Sequence, residues 1–199
     1  MATETPSVLV VEDEPDLANL YAAWLESDYD VETAYEGENA LDAIDDTVDV
    51  VLLDRRMPGI SGDTILTAIR DRGLDCRVAM VTAVEPDFDI VEMGFDDYLV
   101  KPVSKDELRR IVDQLLLRSS YDDQLQELFA LASKKALLDA QKTDAERKSS
   151  REYDTLQDRL AVLRVQVNDT MEELLEQDGY RRVCQDIARD SILQDQDTE

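Results

Sequence analysis

The stretch Val48–Gly59, VDVVLLDRRMPG, decides the fold of the first half of this chain. Its apolar run Val50–Leu53 is too short for a helix and is typical of a strand buried on both faces of a parallel sheet. Asp54 follows this run directly, and the Met-Pro-Gly turn after it continues neither a strand nor a helix. We therefore expect Asp54 at the carboxyl end of a central strand, the edge at which open α/β sheets bind their ligands.

The rest of the first 118 residues alternates further strands with helices. Pro15 suits the first turn of a helix, Gly73 suits the end of another, and Ser104 is a typical helix cap. Such alternation predicts a doubly wound, five-stranded parallel sheet with helices on both faces. The predicted strands are Ser7–Val11, Tyr29–Tyr35, Val50–Leu53, Arg77–Val81 and Asp97–Val100. The first helix is predicted to bury Leu17, Leu20, Tyr21, Trp24 and Leu25.

From residue 103 onward the sequence predicts only helices, since no proline follows Pro102 and the sole glycine is Gly179. The clearest signal is a seam whose members step by three and four residues, which is a heptad pattern. A second stripe lies upstream, and the polar segment Gln141–Arg151 between them predicts the turn of an antiparallel hairpin. The seam is Tyr153, Leu156, Leu160, Leu163, Val167, Thr170 and Leu174, and the upstream stripe is Leu125, Leu128, Phe129 and Ala132.

The heptad seam allows two interpretations. It forms either the inner face of the hairpin or the contact surface of a dimer, and we favour the hairpin because a partner helix lies just upstream. A third short helix is predicted over Tyr180–Leu193, followed by a polar, frayed tail. The change in character between the two halves predicts two domains, at residues 1–118 and 119–199.

The chain is strongly acidic, with 47 acidic residues, 21 basic residues and a formal net charge of −26. This charge repels nucleic acid and anionic membranes at low salt. Only six of the bases are lysine, and the acids are spread along the whole chain. An acid-rich, lysine-poor surface favours a protein adapted to concentrated salt, where the Debye length falls to about 3 Å at 1 M. An ordinary acidic cytosolic protein is the alternative.

Several kinds of site are excluded by what this sequence lacks. It contains no histidine, so a histidine-based metal or proton-transfer site is excluded. The two cysteines, Cys76 and Cys184, lie far apart and have no metal-binding or redox spacing. No apolar run approaches the roughly 18 residues of a membrane helix, and the first residues lack a secretion signal. We therefore expect a cytoplasmic protein without a membrane partner.

Polar side chains stand where four of the predicted strands end: Glu12 and Asp13, Asp54, Thr82, and Lys101. The carboxyl ends of parallel strands meet at one edge of a sheet, so these side chains are expected to converge. Three converging carboxylates need a cation, and their hard oxygen atoms favour Mg²⁺. One carboxylate can attack phosphorus to give an aspartyl phosphate, while an ammonium and a hydroxyl group bind phosphoryl oxygens.

This set of motifs resembles the receiver domain of two-component response regulators, over roughly residues 7–118. The motifs are Glu12-Asp13, Asp54 with its Met-Pro-Gly turn, Thr82-Ala83 and Lys101-Pro102. The resemblance implies that Asp54 accepts a phosphoryl group from a sensor histidine kinase. It also implies that the domain is a control element and not an independent enzyme, with at most self-phosphorylation and autodephosphorylation.

The same resemblance implies a role for each remaining site residue. Mg²⁺ is expected to bind Asp13, Asp54 and the backbone carbonyl of Arg56, with Glu12 helping through water. Lys101 and Thr82 are expected to bind the phosphoryl group. Thr82 and Tyr98 form the expected switch pair, in which the hydroxyl group moves toward the phosphoryl group and the ring turns inward. The peptide bond before Pro102 is expected to be cis.

One spacing departs from the receiver pattern. Thr82 and Lys101 are separated by fewer residues than the family leads us to expect, and the missing length falls around Glu85–Phe95. The fourth helix is therefore predicted to be short or irregular, with Pro86 breaking its start. This puts in doubt the dimer that many receivers form through the fourth helix, fifth strand and fifth helix.

The second half resembles the HalX domain, which is attached to receivers in halophilic archaea. The resemblance rests on the predicted hairpin and the acid-rich composition, and it implies an output module in a signalling pathway. Residues 119–199 contain 11 bases and 19 acids and show no helix-turn-helix signature. We therefore favour a module that binds another signalling protein or a second copy of the chain. A phosphorylation-controlled, DNA-binding transcriptional regulator is the alternative.

Overall fold

The computed structural model describes residues 5–176, and the chain divides after Leu116 into two units. Strands and helices alternate through the first unit, whereas the second is helical. The strands are β1 (Ser7–Val11), β2 (Asp30–Ala34), β3 (Val50–Leu53), β4 (Arg77–Thr82) and β5 (Asp97–Val100). The helices are α1 (Pro15–Leu25), α2 (Gly37–Ala43), α3 (Gly62–Asp71), a 3₁₀ helix (Phe88–Glu92), α4 (Lys105–Gln141), α5 (Asp144–Lys148) and α6 (Arg151–Glu176).

The five strands form one parallel sheet in the order β2-β1-β3-β4-β5. In its register Val11 pairs with both Ala34 and Leu53, so the carboxyl ends of the three strands lie side by side. All four residues of β3 are buried, as expected for the central strand of a sheet covered on both faces. The predicted fold class, a doubly wound parallel sheet followed by a helical hairpin, is confirmed.

Two apolar cores lie on opposite faces of this sheet. Successive side chains of β3 point to opposite faces, so Val51 and Leu53 pack in one core while Val50 and Leu52 pack in the other. The first core is completed by side chains of α2 and α3, including Ala40, Ile65, Leu66 and Ile69. The second is completed by α1 and by the first turns of α4, including Ala18, Tyr21, Leu25, Leu108, Ile111, Val112 and Leu115.

Gly62, the first residue of α3, lies against the backbone that carries Asp54. Its amide donates a hydrogen bond to the Arg55 carbonyl group at 3.0 Å. A Cβ atom on Gly62 would stand 2.1 Å from the Asp54 carbonyl oxygen and 2.9 Å from Cα of Arg55. Since both of these are backbone atoms, only glycine lets α3 approach the end of β3 so closely.

We expect Gly62→Ala to lower the free energy of unfolding by about 3 kcal/mol, because the added methyl group forces the backbone after Asp54 to move. Gly94→Ala is the matched control, since its Cβ would meet only side-chain atoms of Arg70, the nearest at 3.2 Å, and no backbone atom. We expect the control to cost less than about 1 kcal/mol. Urea denaturation of both variants measures this difference in the free energy of unfolding. Equal stability of the two variants would show that the backbone after Asp54 moves aside without an energetic cost.

The connection between β4 and β5 contains only the 3₁₀ helix Phe88–Glu92. The predicted short or irregular fourth helix is thus confirmed, and Pro86 lies just before it. None of the five residues of this 3₁₀ helix is buried, and Phe88 and Val91 are 92% and 80% exposed. The helix therefore has little apolar contact to hold it against the sheet.

The second unit is an antiparallel hairpin between α6 and the part of α4 that follows Leu116. The seam of α6 is buried at every predicted position except Leu156, which is partly buried. Polar contacts fix the pairing: the Thr170 hydroxyl lies 3.0 Å from Oε1 of Gln124, and Arg159 forms an ion pair with Glu127 at 2.6 Å. The seam therefore forms the inner face of the hairpin, as favoured.

Several predictions for the helices were wrong in detail. Phe129 is 67% exposed, because a two-helix seam buries about two positions per heptad and Phe129 lies one position beyond Leu128. Leu20 is 44% exposed, since the small residues Ala18 and Ala22 of α1 face the core. The predicted turn contains the short helix α5, which Thr143 begins with a capping box.

One further helix, α4, is longer than the sequence analysis predicted. Helix α4 is continuous over Lys105–Gln141 and passes through residue 118, where the sequence analysis places the boundary between the domains. The predicted third helix at Tyr180–Leu193 and the tail after it lie outside the described residues. Among residues 5–176, no helix is both long and apolar enough to cross a membrane.

Candidate functional site

The parallel sheet brings four strand ends together. Glu12 follows β1, Asp54 follows β3, Thr82 is the last residue of β4, and Lys101 follows β5. The Asp54 amide donates to the Val11 carbonyl group at 2.9 Å, which continues the pairing of β1 with β3 and sets Glu12 beside Asp54. The convergence of these side chains thus follows from the register of the strands.

Lys101 joins two of the carboxylates in a buried ion-pair cluster. Its Nζ atom lies 2.6 Å from Oε2 of Glu12 and 2.7 Å from Oδ2 of Asp54. The side chains of Lys101, Glu12 and Asp54 are only 13%, 2% and 9% exposed, respectively. Solvent therefore screens the attraction between their charges only weakly. Burial raises the pKa of Glu12, and Lys101 offsets only part of this shift. Burial by itself would lower the pKa of Lys101, but hydrogen bonds with Asp54 and Glu12 raise it above the ordinary value.

The carboxylates of Glu12, Asp13 and Asp54 form a cluster that fits a divalent cation. One oxygen atom of each lies within 4.8 Å of the others, and Asp13 is the most accessible of the three. Carboxylate oxygens are the ligands that Mg²⁺ prefers in proteins. The Arg56 amide donates to Oδ1 of Asp54 at 3.1 Å, so the Arg56 backbone also lies beside the cluster.

Thr82 and Tyr98 meet at the same backbone residue, Val84. The Thr82 hydroxyl accepts a hydrogen bond from the Val84 amide at 3.4 Å, and the Tyr98 hydroxyl donates to the Val84 carbonyl group at 2.7 Å. Thr82 is 1% exposed, whereas Tyr98 is partly buried and packs against Phe95. The two side chains assigned to the switch pair are thus linked through one residue. The Lys101-Pro102 peptide bond is cis.

Arg55 is a site residue that the sequence analysis missed. Its Nε atom donates to Asp63 at 3.0 Å, and its guanidinium group also forms an ion pair with Asp89. We call these three residues the Arg55 bridge. Arg55 is 13% exposed, which is low for an arginine. A charged residue two positions after a buried strand was the signal in the sequence, but nothing there indicated its distant partner Asp89.

Comparison with known proteins agrees with this geometry. The response regulator receiver domain family matches residues 8–113, which is more than half of the chain. The chain belongs to the response regulator receiver family. A second family, the HalX domain, matches residues 117–184 of this response regulator.

Two relatives illustrate how far the similarity extends. A Haloferax volcanii protein named "Putative transcriptional regulator" is 54% identical over 160 residues, which are 80% of this response regulator and 27% of that protein. The transcriptional regulatory protein CpxR of Escherichia coli is 38% identical over 123 residues, which are 60% and 53% of the two chains. The chain thus spans about a quarter and about half of the length of these relatives.

Solved receiver structures share the fold of the first unit. Response regulator TrrA of Thermotoga maritima, in complex with Mg²⁺ and beryllofluoride, is 36% identical, with a TM-score of 0.50 over 56% of this chain and 99% of that chain. The beryllofluoride-activated receiver domain of DrrB is 27% identical, with a TM-score of 0.53 over 56% and 97%. Receiver domains bind Mg²⁺ through acidic residues, and the first unit places such a cluster at the matching sheet edge.

Proposed function

We propose that this response regulator accepts a phosphoryl group on Asp54 from a sensor histidine kinase. The observation that carries the proposal is the contact of Asp54 with Lys101 at 2.7 Å, at the carboxyl end of the central strand and beside two further carboxylates. A carboxylate held there has a cation ready to neutralise incoming phosphoryl oxygens. Residues 1–118 would act as the receiver and residues 119–199 as the output domain.

The transfer requires few groups. One carboxylate oxygen of Asp54 attacks the phosphorus atom, and the phosphorus–nitrogen bond of the kinase phosphohistidine breaks with its electron pair staying on the imidazole. Lys101 exchanges its contact with Asp54 for a phosphoryl oxygen, and the Thr82 hydroxyl donates to another. Hydrolysis later restores the carboxylate. The chain's catalysis is confined to these two steps.

Glu12, Asp13, Asp54 and the carbonyl group of Arg56 would hold the Mg²⁺ ion. The geometry supports the three carboxylates directly, since their oxygen atoms lie within 4.8 Å of one another. When bound, the ion neutralises part of the charge that gathers on the transferred group. Asp13, which is more exposed than Glu12 and Asp54, supplies a ligand that no lysine already occupies in the described contacts.

We expect Asp13→Asn to weaken the Mg²⁺-dependent binding of beryllofluoride at least about tenfold, because it removes one negatively charged ligand. Calorimetric titration of beryllofluoride into the full chain with Mg²⁺ measures this, and the wild type should bind one equivalent. Asp16→Asn, an exposed acid in the first turn of α1, is the matched control. Equal affinity of both variants and the wild type would contradict the proposed ion site.

We infer that phosphorylation acts through Thr82 and Tyr98. Movement of the Thr82 hydroxyl toward the phosphoryl group would break its contact with the Val84 amide, and the Tyr98 hydroxyl is held by the same residue. The two side chains therefore cannot change independently. Phosphorylation would shift a population between two arrangements of this segment, and the helical domain would transmit the change.

The output domain supports two candidate functions. The first is a protein-interaction module, favoured by the acidic composition of residues 119–199. The second is DNA-binding control of transcription, favoured because the relatives are named as transcriptional regulators. Light scattering of the full chain in concentrated salt, with and without beryllofluoride and Mg²⁺, tests the first through a change in mass. A fluorescence DNA-binding assay under the same conditions tests the second.

A further inference from the structure

The three residues of the Arg55 bridge line a cavity of about 440 Å³ next to the site. Asp63 belongs to the first turn of α3, and Asp89 belongs to the 3₁₀ helix between β4 and β5. Arg55 itself directly follows Asp54. The guanidinium group of the residue that follows the candidate phosphoacceptor thus connects α3 to a segment that follows Thr82.

The segment on the Asp89 side is weakly held by other contacts. None of the residues Phe88–Glu92 is buried, and its hydrogen bonds from Ile90 to Asp87 and from Met93 to Ile90 are local. The contacts that anchor it are the ion pair with the 13% exposed Arg55 and the packing of Met93, the residue after the helix, against the first core. The pairing with Asp89 and Asp63 raises the pKa of Arg55.

Arg55 also reaches the segment assigned to the switch. Arg55 lines the same cavity as Val84, whose carbonyl group accepts the hydrogen bond from the Tyr98 hydroxyl. Arg55 consequently contacts the 3₁₀ helix through Asp89, shares a cavity with Val84, and is covalently adjacent to Asp54. Opening of the bridge and movement of Val84 therefore involve the same connection between β4 and β5.

We propose that Arg55 is a positioning residue whose bridge to Asp89 holds the 3₁₀ helix in its resting arrangement and thereby weakens phosphoryl binding at Asp54. This rests on the proposed function of Asp54. Asp89 lies in the connection that follows Thr82 and contains Val84, so movement of these residues toward a phosphoryl group pulls on the bridge, and the Asp89 side chain, which is 51% exposed, can leave it. Part of the phosphoryl binding free energy is used to open the bridge, so removal of the Asp89 charge raises the affinity.

The test compares Asp89→Asn with Glu92→Gln in the full chain. Both substitutions remove one acidic charge from the same helix, but no described ion pair involves Glu92. We expect amide hydrogen exchange of Ile90 and Met93 to become about fivefold faster in Asp89→Asn, in the absence of beryllofluoride. We also expect the dissociation constant for beryllofluoride with Mg²⁺ to fall by about threefold to tenfold. Glu92→Gln should change neither quantity.

The two measurements separate this proposal from the proposed function. Exchange is measured without any phosphoryl analogue, so an unchanged exchange rate in Asp89→Asn overturns the bridge as an anchor whatever Asp54 does. Faster exchange with unchanged or weaker beryllofluoride binding overturns the coupling to Asp54. A wild type that binds no beryllofluoride contradicts the proposed function, while the exchange result still shows whether the bridge anchors the helix.

Discussion

Replacing Asp54 with alanine is expected to reduce phosphate incorporation from acetyl phosphate at least about 100-fold, to background. Asp54 supplies the attacking oxygen in the proposed transfer, and the neighbouring carboxylates cannot replace it. Glu12 forms an ion pair with Lys101 and is 2% exposed, while Asp13 is an expected cation ligand. Radiolabel from acetyl phosphate, counted after separation of the full chain, gives the measurement.

The control for this variant is Asp46→Asn, an exposed acid in the loop before β3. This variant has the same net charge as Asp54→Ala but leaves the sheet edge intact. It should therefore incorporate as much phosphate as the wild type. Label that persists in Asp54→Ala at the wild-type level would show that another residue accepts the phosphoryl group. Label lost equally from both variants would point to a general effect of charge.

Lys101→Met is expected to lower both labelling and stability. Methionine fills a similar volume but removes the one cation that contacts Glu12 and Asp54 among the described residues. Glu12 and Asp54 are then buried without a positively charged partner. Removing one partner of a buried ion pair destabilises a fold strongly, because it leaves an uncompensated buried charge. We expect the free energy of unfolding to fall by about 3 kcal/mol near pH 8, as measured by urea denaturation without Mg²⁺.

This loss in the free energy of unfolding should grow as the pH rises. Burial already raises the pKa of Glu12 above its ordinary value of 4.5, and removal of Lys101 raises it further. A carboxyl group whose pKa is higher in the folded state costs no stability below its unfolded pKa and lowers stability as the pH rises through its folded pKa. The difference between Lys101→Met and the wild type should therefore be smaller near about pH 5 than near about pH 8.

Lys105→Met is the matched control for this experiment, because Lys105 is exposed at the start of α4 and no described ion pair involves it. It should remain within about 0.5 kcal/mol of the wild type at both pH values. Two results would contradict the buried ion-pair cluster: a Lys101→Met variant as stable as this control, or a loss in its free energy of unfolding that grows as the pH falls.

Local sequence patterns were enough to predict the receiver fold. The run Val50–Leu53 has no polar position and fits only a strand covered on both faces, which the structure confirms. Parallel order then places Glu12, Asp54, Thr82 and Lys101 at one edge without further information. The heptad steps of α6 likewise predicted which of its residues are buried.

Other features depend on contacts between distant residues, which local patterns do not contain. Arg55 and Asp89 are 34 residues apart, and nothing near either one indicates the pair. Phe129 looked like a core residue because it is large and apolar, but a narrow two-helix seam leaves it exposed. The continuity of α4 was missed because a domain boundary was placed at residue 118 from the change in sequence character, although no glycine or proline interrupts Lys105–Gln141.

The central claim, that Asp54 is the phosphoacceptor, is tested most directly by locating the modification in the wild type. The full chain is incubated with acetyl phosphate and Mg²⁺ in concentrated salt, trapped by reduction of the acyl phosphate, and digested for mass spectrometry. We expect one modified residue, Asp54, and none when a chelator removes Mg²⁺. Modification at any other residue, or an unmodified Asp54 peptide under conditions in which the chain is folded, would contradict the proposed function.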